Sequence, residues 1–308
     1  MYFPYFRGRQ YELLALKELV KGRLLSESVI PVVEPVKLMS TFDSTLKTFA
    51  DAGCKIALIF NPAVGQFAGS ENFIDVYYAR MGGALNVEPT LLMNKNALPT
   101  LEALESRGLL RSNMIAFLDK RDFLDTYKGE FAGVPPQYTL FPDEREFRRT
   151  VTQGKVMFKD CFSKQSKNAD YPEDEFFTED HLFYKSEGYV GFGDYSIIGS
   201  EYNEGGFAPY AVAIHIVYFD NNDNLRIRHF VSDSNEDTSD VAGKFSEAVT
   251  KLLDWYNDGQ ERQSTMALDT LLSHAHSGYY PGLPTIKKLS IMHHLELVGK
   301  FLDGDLPE

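Results

Sequence analysis

Short apolar segments of this chain end abruptly in polar side chains. Ile30-Pro31-Val32-Val33 runs into Glu34, Ile56-Ala57-Leu58-Ile59-Phe60 into Asn61, Met114-Ile115-Ala116-Phe117-Leu118 into Asp119, and Val156-Met157-Phe158 into Lys159. Glu88 and Asp194 stand in two further β-rich stretches. Carboxylates exchange protons or bind a divalent cation, and an ammonium group holds an anion. If brought together, Glu34, Lys159 and Asp194 are the candidate catalytic residues, and Asn61 and Asp119 are candidate ligand-binding residues. Mg²⁺ is compatible with such a carboxylate group, but no spacing defines a set of metal ligands. The competing explanation is ordinary polar residues at the points where strands meet solvent, some satisfying loop amides.

Other residues carry weaker signals. Arg7 and Arg9 flank Gly8 beside Tyr2, Phe3, Tyr5 and Phe6. Their forked donors suit a phosphate or carboxylate, so both are candidate ligand-binding residues. Equally, the aromatics could plug the base of a barrel, with the arginines in structural ion pairs. Gly191-Phe192-Gly193-Asp194-Tyr195-Ser196 reads either as a loop that approaches a ligand closely or as a bulged strand that requires glycine. Ser196 lacks the GxSxG elbow of serine hydrolases. His274-Ala275-His276 and His293-His294 have no HExxH context and fit a surface or core-edge role better than metal binding. His215 and His229 are the more interesting couple, because they lie on two β-rich runs and face each other if those runs pair, although no third ligand is evident. Ser232 to Asp240 lacks the glycine and closing glutamate of an EF-hand loop and reads as a solvated turn before a helix.

The elements that must position these residues alternate between β and α patterns. Strands are predicted at Val29 to Glu34, Lys55 to Phe60, Val87 to Met93, Met114 to Leu118, Tyr138 to Phe141, Lys155 to Lys159 and Tyr189 to Gly199. Between them fall helices at about Ser44 to Ala52, Glu71 to Met81, Leu98 to Arg107, Arg121 to Tyr127 and Asp143 to Thr150, with a first helix after Gln10. Residues 160 to 175 read as a polar loop and 178 to 184 as a helix or irregular segment. Ala211 to Phe219 and Leu225 to Val231 flank Asp220-Asn221-Asn222-Asp223-Asn224 and read as an antiparallel hairpin. Three helices close the chain: one capped by Ser239, then Ser264 to Ala275 and Thr285 to Leu302. The fold class is therefore α/β, an irregular (β/α)₈-like barrel with a hairpin and a C-terminal helical cap; the alternative is an open doubly wound sheet. No GxGxxG follows the first strand, so a dinucleotide-binding version has no support. We assign 1–258 to the barrel-like domain, including hairpin 211–231, and 259–308 to helices packed on it.

Composition excludes several classes. Of 308 residues, 44% are hydrophobic, 13% aromatic and 24% charged, which rules out disordered, coiled-coil and low-complexity chains. A net charge of -13 argues against broad binding to nucleic acid or an anionic membrane and suits a basic protein partner. Cys54 and Cys161 have no metal or redox spacing and read as free thiols in a reducing compartment. No signal-peptide pattern opens the sequence, and no apolar run approaches the ~18 residues a membrane helix needs, so a cytoplasmic location is expected.

The opening Tyr2-Phe3-Pro4-Tyr5-Phe6-Arg7-Gly8-Arg9-Gln10-Tyr11-Glu12-Leu13, the strand Ile30-Pro31-Val32-Val33-Glu34-Pro35 and Gly191-Phe192-Gly193-Asp194-Tyr195 resemble the "beta protein" family of bacterial and phage proteins. The resemblance covers most of the chain and transfers no catalytic residues. It implies an accessory gene beside a small partner gene in regions rich in antiphage functions. Two functions follow. In the first, the chain is the scaffold or regulatory half of a two-protein antiphage system and binds the product of a neighbouring gene, with a homo-oligomer also admissible. In the second, it is a barrel enzyme acting on a phosphorylated or nucleotide-like substrate, with Lys159 and Arg7 or Arg9 holding the anion. A sensor that binds a ligand without turning it over lies between them.

Overall fold

The computed structural model describes residues 1–70, 72–81, 87–203, 205, 209–259 and 263–306. The apolar runs form eight parallel strands closed into a barrel: β1 (Tyr2–Phe6), β2 (Val32–Val33), β3 (Ala57–Ile59), β4 (Glu88–Leu92), β5 (Ile115–Phe117), β6 (Tyr138–Phe141), β7 (Lys155–Phe158) and, after an excursion, β9 (Gly191–Asp194). The helices α1 (Gln10–Lys21), α2 (Ser40–Ala52), α3 (Phe73–Met81), α4 (Ala97–Glu105), α5 (Leu124–Phe131) and α6 (Arg145–Thr150) each connect one strand to the next. This is the (β/α)₈ arrangement, and the closed strand order excludes the open sheet. The predicted start of α3 at Glu71 lies outside the described residues.

β1 is a strand, where the sequence left open either a ligand-gripping segment or an aromatic plug at the barrel base. Pro4 interrupts it, and Tyr2, Phe3, Tyr5 and Phe6 are all buried, so no apolar–polar alternation advertises it. It closes the barrel by pairing with β2 on one side (Tyr5 opposite Val32) and β9 on the other (Phe3 opposite Gly193). The interior is filled by alternate side chains, among them Phe3, Tyr5, Ile30, Ile59, Phe117 and Phe158. Their neighbours Tyr2, Phe6, Val33, Leu58, Ala116 and Met157 face the helix layer. Gly193 is glycine because space demands it: a Cβ there would lie 2.5 Å from the Phe3 carbonyl oxygen and 2.8 Å from the Phe158 ring. Its Gly-x-Gly pattern thus serves close packing of interior aromatics.

The excursion is the second departure from expectation. Within 160–184, β8 (Asp174–Thr178) leads to the short α7 (Asp180–Phe183). β8 joins the hairpin strands β10 (Ala213–Phe219) and β11 (Leu225–Val231) in a separate antiparallel sheet ordered β10-β11-β8. The chain then closes with α8 (Val241–Asp258), α9 (Met266–Ser277) and α10 (Leu283–Asp303). Asp240 rather than Ser239 caps α8, its carboxylate accepting from the Gly243 amide. α10 is buried at Ile286 and continuously from Leu289 to Gly299, because it is wedged between α1 and β10 and so joins the small sheet to the barrel. Among the described residues no helix is long and apolar enough to cross a membrane.

Candidate functional site

In-out alternation along each strand decides which polar residue reaches the barrel mouth. Continuing the interior series 3-5, 30-32, 57-59, 115-117 and 156-158 by one step gives Arg7, Glu34, Asn61, Asp119 and Asp160; β9 contributes Tyr195 in the same way. These residues occupy the carboxyl-terminal mouth, where barrels of this kind hold their ligands.

At its floor Glu34 is fully buried, and Arg7 has only 15% of its side chain exposed. One Glu34 oxygen accepts from the Arg7 guanidinium and from the Tyr5 hydroxyl at 2.8 Å; the other accepts from the Ala63 amide at 2.6 Å. Arg7 also donates to the Tyr5 hydroxyl (3.2 Å) and to the Ser200 carbonyl (3.0 Å). Its guanidinium carbon lies 5.0 Å from the Tyr5 ring centre and 5.7 Å from that of Tyr195. Local chain geometry fixes this placement: Gly8 has φ +61°, and a Cβ there would lie 3.0 Å from the Glu34 carbonyl oxygen. The chain turns off β1 at that glycine into α1, where the Glu12 carboxylate accepts from the Arg9 amide at 3.2 Å.

Asn61 is buried and clamps the next strand: its amide donates to the Leu92 carbonyl at 2.7 Å and its oxygen accepts from the Leu92 amide at 2.8 Å. It also donates to the Asn94 side chain at 3.1 Å. This is a structural bridge whose hydrogen-bonding capacity is committed to protein. Around the rim, Asp119 and Asp160 are exposed, and neither has an ion-pair partner among the described residues. Withdrawal from water in the mouth raises the Asp119 pKa, against the pull of Lys120 and Arg7. Asp160 accepts from the Phe162 amide (3.1 Å) and the Ser200 amide (2.8 Å), and so holds the same loop that Arg7 touches. Burial chiefly raises the Tyr195 pKa, with Asp119, Asp160 and Glu34 adding to the rise and Arg7 opposing it. The ends of the apolar runs alone do not point to Asp160 or Tyr195. The signal that finds them is the same alternation, counted from Val156 and Gly193.

The other candidates lie elsewhere. Lys159 and Asp194 have the opposite parity and face the helix layer. The Lys159 ammonium donates to Asp180 at 2.9 Å. Asp194 accepts from the Tyr2 hydroxyl at 2.8 Å and the Ser196 amide at 2.6 Å. The Ser196 hydroxyl meets His294 Nδ1 at 2.8 Å, and His294 Nε2 lies 3.4 Å from the Tyr2 hydroxyl. Tyr2, Ser196 and His294 are wholly buried and Asp194 nearly so, which gives this network no route for a substrate. Desolvation pushes Asp194 up to about 7 and His294 down to about 3. Glu88 begins β4, at the amino end of the barrel, opposite Ala57 and 3.9 Å from Lys55. Arg9 turns away from the mouth, donating to the Asn203 carbonyl at 2.7 Å with its guanidinium over Tyr202.

The histidines separate in the same manner. His293 bridges Thr265 and the Val217 carbonyl, each at 2.8 Å, so the adjacent residues of α10 do point in different directions. Both are interior rather than core-edge residues. His215 and His229 are direct cross-strand partners. Among the described residues no group of three His, Cys, Asp or Glu side chains could hold a metal ion, and both cysteines are free.

The mouth is therefore an arginine already neutralised by a buried glutamate, under a rim of two carboxylates without ion-pair partners among the described residues and a tyrosine. It can accept hydrogen bonds and attract positive charge; it does not assemble the anion clamp expected from Arg7, Arg9 and Lys159. Comparison of the chain with protein-family models, with curated proteins and with solved structures finds no match.

Proposed function

We propose that this protein works by complex formation, its acidic barrel mouth receiving a basic side chain or segment of a small partner protein. The observation that carries the reading is electrostatic: Arg7 is already paired with Glu34, whereas Asp119 and Asp160 stand exposed with no ion-pair partner among the described residues, Asp119 feeling only the more distant pull of Lys120 and Arg7. A net charge of -13 extends the same bias to the whole chain and favours fast encounter with a basic partner. The resemblance to the "beta protein" family supplies the context, a two-component antiphage system whose partner is encoded next door.

The test is co-expression with the neighbouring gene product, followed by size-exclusion chromatography with light scattering. A stable heteromer is expected. It should weaken as salt rises, and by about tenfold in the double variant Asp119→Asn, Asp160→Asn, which removes two rim charges. Absence of a complex, together with undiminished phage protection when the gene is deleted, overturns the proposal. One observation favours a second reading, in which the mouth transfers protons: the raised Asp119 pKa suits a general acid or base. Turnover abolished by Asp119→Asn, with folding intact, would select that reading instead.

A further inference from the structure

We propose that the cavity enclosed by the 162–171 segment, the 197–198 turn, β10 and the start of α10 binds a small organic anion carrying a hydroxyl beside its charge. Lys287 holds the anion, and His215 Nε2 accepts a hydrogen bond from the hydroxyl.

The cavity has a volume of about 240 Å³, with a largely apolar wall that includes Phe162, Ile197, Ile198 and Ile286 and a few polar groups, among them His215 and Lys287. That combination, an apolar chamber with few convergent polar atoms, is what small-molecule recognition requires. Lys287 stands at the cavity rim with its side chain partly open to solvent; desolvation lowers its pKa, Glu12 opposes this, and Arg9 and Lys164 add to the lowering. Its neighbours are engaged: Lys164 pairs with Glu201 at 2.8 Å, and Arg9 donates to the Asn203 carbonyl. Lys287 has no hydrogen bond or ion pair among the described residues. In a chain of net charge -13, such a cationic spot selects for an anion.

The histidine follows from a chain of hydrogen bonds. His229 Nε2 lies 3.0 Å from a Glu175 oxygen, and an ionised carboxylate only accepts, so the His229 proton sits on Nε2. Its Nδ1 is then an acceptor. His215 Nδ1 lies 2.7 Å from that atom and must be the donor. The remaining His215 nitrogen, Nε2, carries a lone pair and no hydrogen-bond partner among the described residues. Tyr171 holds both rings, stacked at 4.7 Å on His229 and edge-on at 4.7 Å to His215. Burial first, then the other histidine and Lys287, keep His215 neutral, so its lone pair persists at physiological pH. The Glu175–His229–His215 series thus fixes the tautomer of the residue that opens on the cavity.

The test uses the intact chain labelled with ¹⁵N in histidine, with mandelate as probe and phenylacetate, which lacks the hydroxyl, as control. The expected spectrum shows His215 protonated at Nδ1 and a saturable shift of its Nε2 resonance on adding mandelate. Phenylacetate should bind about tenfold more weakly, and Lys287→Met should cost about tenfold in mandelate affinity without altering either histidine tautomer. A proton found on His215 Nε2 overturns the proposal. So does the lack of a saturable shift, equal affinity for the two acids, or unchanged affinity in Lys287→Met.

Discussion

Asp194 and Tyr195 are adjacent, at the end of one strand, yet they belong to different chemistries. Tyr195 faces the mouth with Arg7, Asp119 and Asp160; Asp194 faces the helix layer, sealed under Tyr2, Ser196 and His294. The sealed network has the more perturbed groups and the tidier hydrogen bonds, and it includes a serine, a histidine and an aspartate. What it lacks is access. A hydroxyl that no solvent reaches attacks nothing, so the arrangement secures the joint between β1, β9 and α10. Perturbed pKa values mark buried structure as readily as they mark active sites, and access decides between the two.

The largest effect belongs to the floor of the mouth. Glu34→Ala should cost about 3–5 kcal/mol in urea unfolding, because it leaves the Arg7 charge and the Tyr5 hydroxyl without their buried partner. Glu34→Gln, which keeps one acceptor, should lose clearly less. Equal losses would mean that the carboxylate charge accounts for the whole effect and the retained acceptor contributes nothing.

The sealed side is separated by pH. Asp194 has a folded pKa of about 7, against ~3.9 for an unfolded aspartate. The folded state therefore holds the proton more tightly. The contribution is full below about pH 4 and is lost as pH rises through about 7, amounting to a few kcal/mol. His294 and His293, pushed down to about 3 and about 4, work in the opposite sense: their contribution is present above ~6.5 and lost as pH falls. Asp194→Asn keeps an acceptor for Tyr2 and removes the titration. Its stability relative to the parent should rise steadily between pH 4 and 7 in a series of urea titrations. A pH-independent difference would show that Asp194 stays ionised in the folded protein.

These contrasts explain how far the sequence could be read. The β–α rhythm was legible because β2, β3, β5 and β7 lie in short apolar runs that end in polar residues. The hairpin register was legible too, since the Asp220–Asn224 loop sets Phe219 opposite Leu225 and hence His215 opposite His229. The face of each strand-end residue was not. Barrel strands are buried on both sides, so Val32 and Val33 look alike although one packs inside and the other outside. Without that parity, Lys159 and Asp194 could not be distinguished from Asp160 and Tyr195. β1 was hidden for the same reason, with Pro4 added, and β8 was hidden because its charged residues Asp174 and Glu175 pair with β11 side chains rather than pointing to solvent.

On the open side, Tyr195→Phe should change stability by less than about 1 kcal/mol and leave the pH profile unmoved. Its ring is held by Tyr5 and Phe158, at 5.1 and 5.0 Å between centroids, and phenylalanine keeps those contacts. A larger loss would mean that the hydroxyl is tied into the barrel as firmly as that of Tyr2. The same substitution at position 2 removes the donor to Asp194 and the contact with His294, so it should cost more, about 1–3 kcal/mol.

Lys159→Ala should produce the smallest effect, although Lys159 stands beside the mouth in sequence and was a catalytic candidate. Its ammonium spans 2.9 Å to Asp180, but 43% of the side chain is exposed. Water and salt screen such a pair to about 0–1 kcal/mol. The Asp180 side chain is only 11% exposed, so any loss above about 1 kcal/mol would come from its carboxylate left without the lysine, while its amide keeps its hydrogen bond to Thr178 at 3.1 Å. Partner binding should also survive, since the lysine points away from Asp119 and Asp160. Measured in the chromatographic assay beside the Asp119→Asn, Asp160→Asn variant, Lys159→Ala is the control that gives parity its meaning. If it weakens the complex as much as the rim variant does, the strand-end residues act as one patch regardless of the face they occupy. If it leaves the complex intact while Asp160→Asn alone weakens it, one step along a strand separates surface from site.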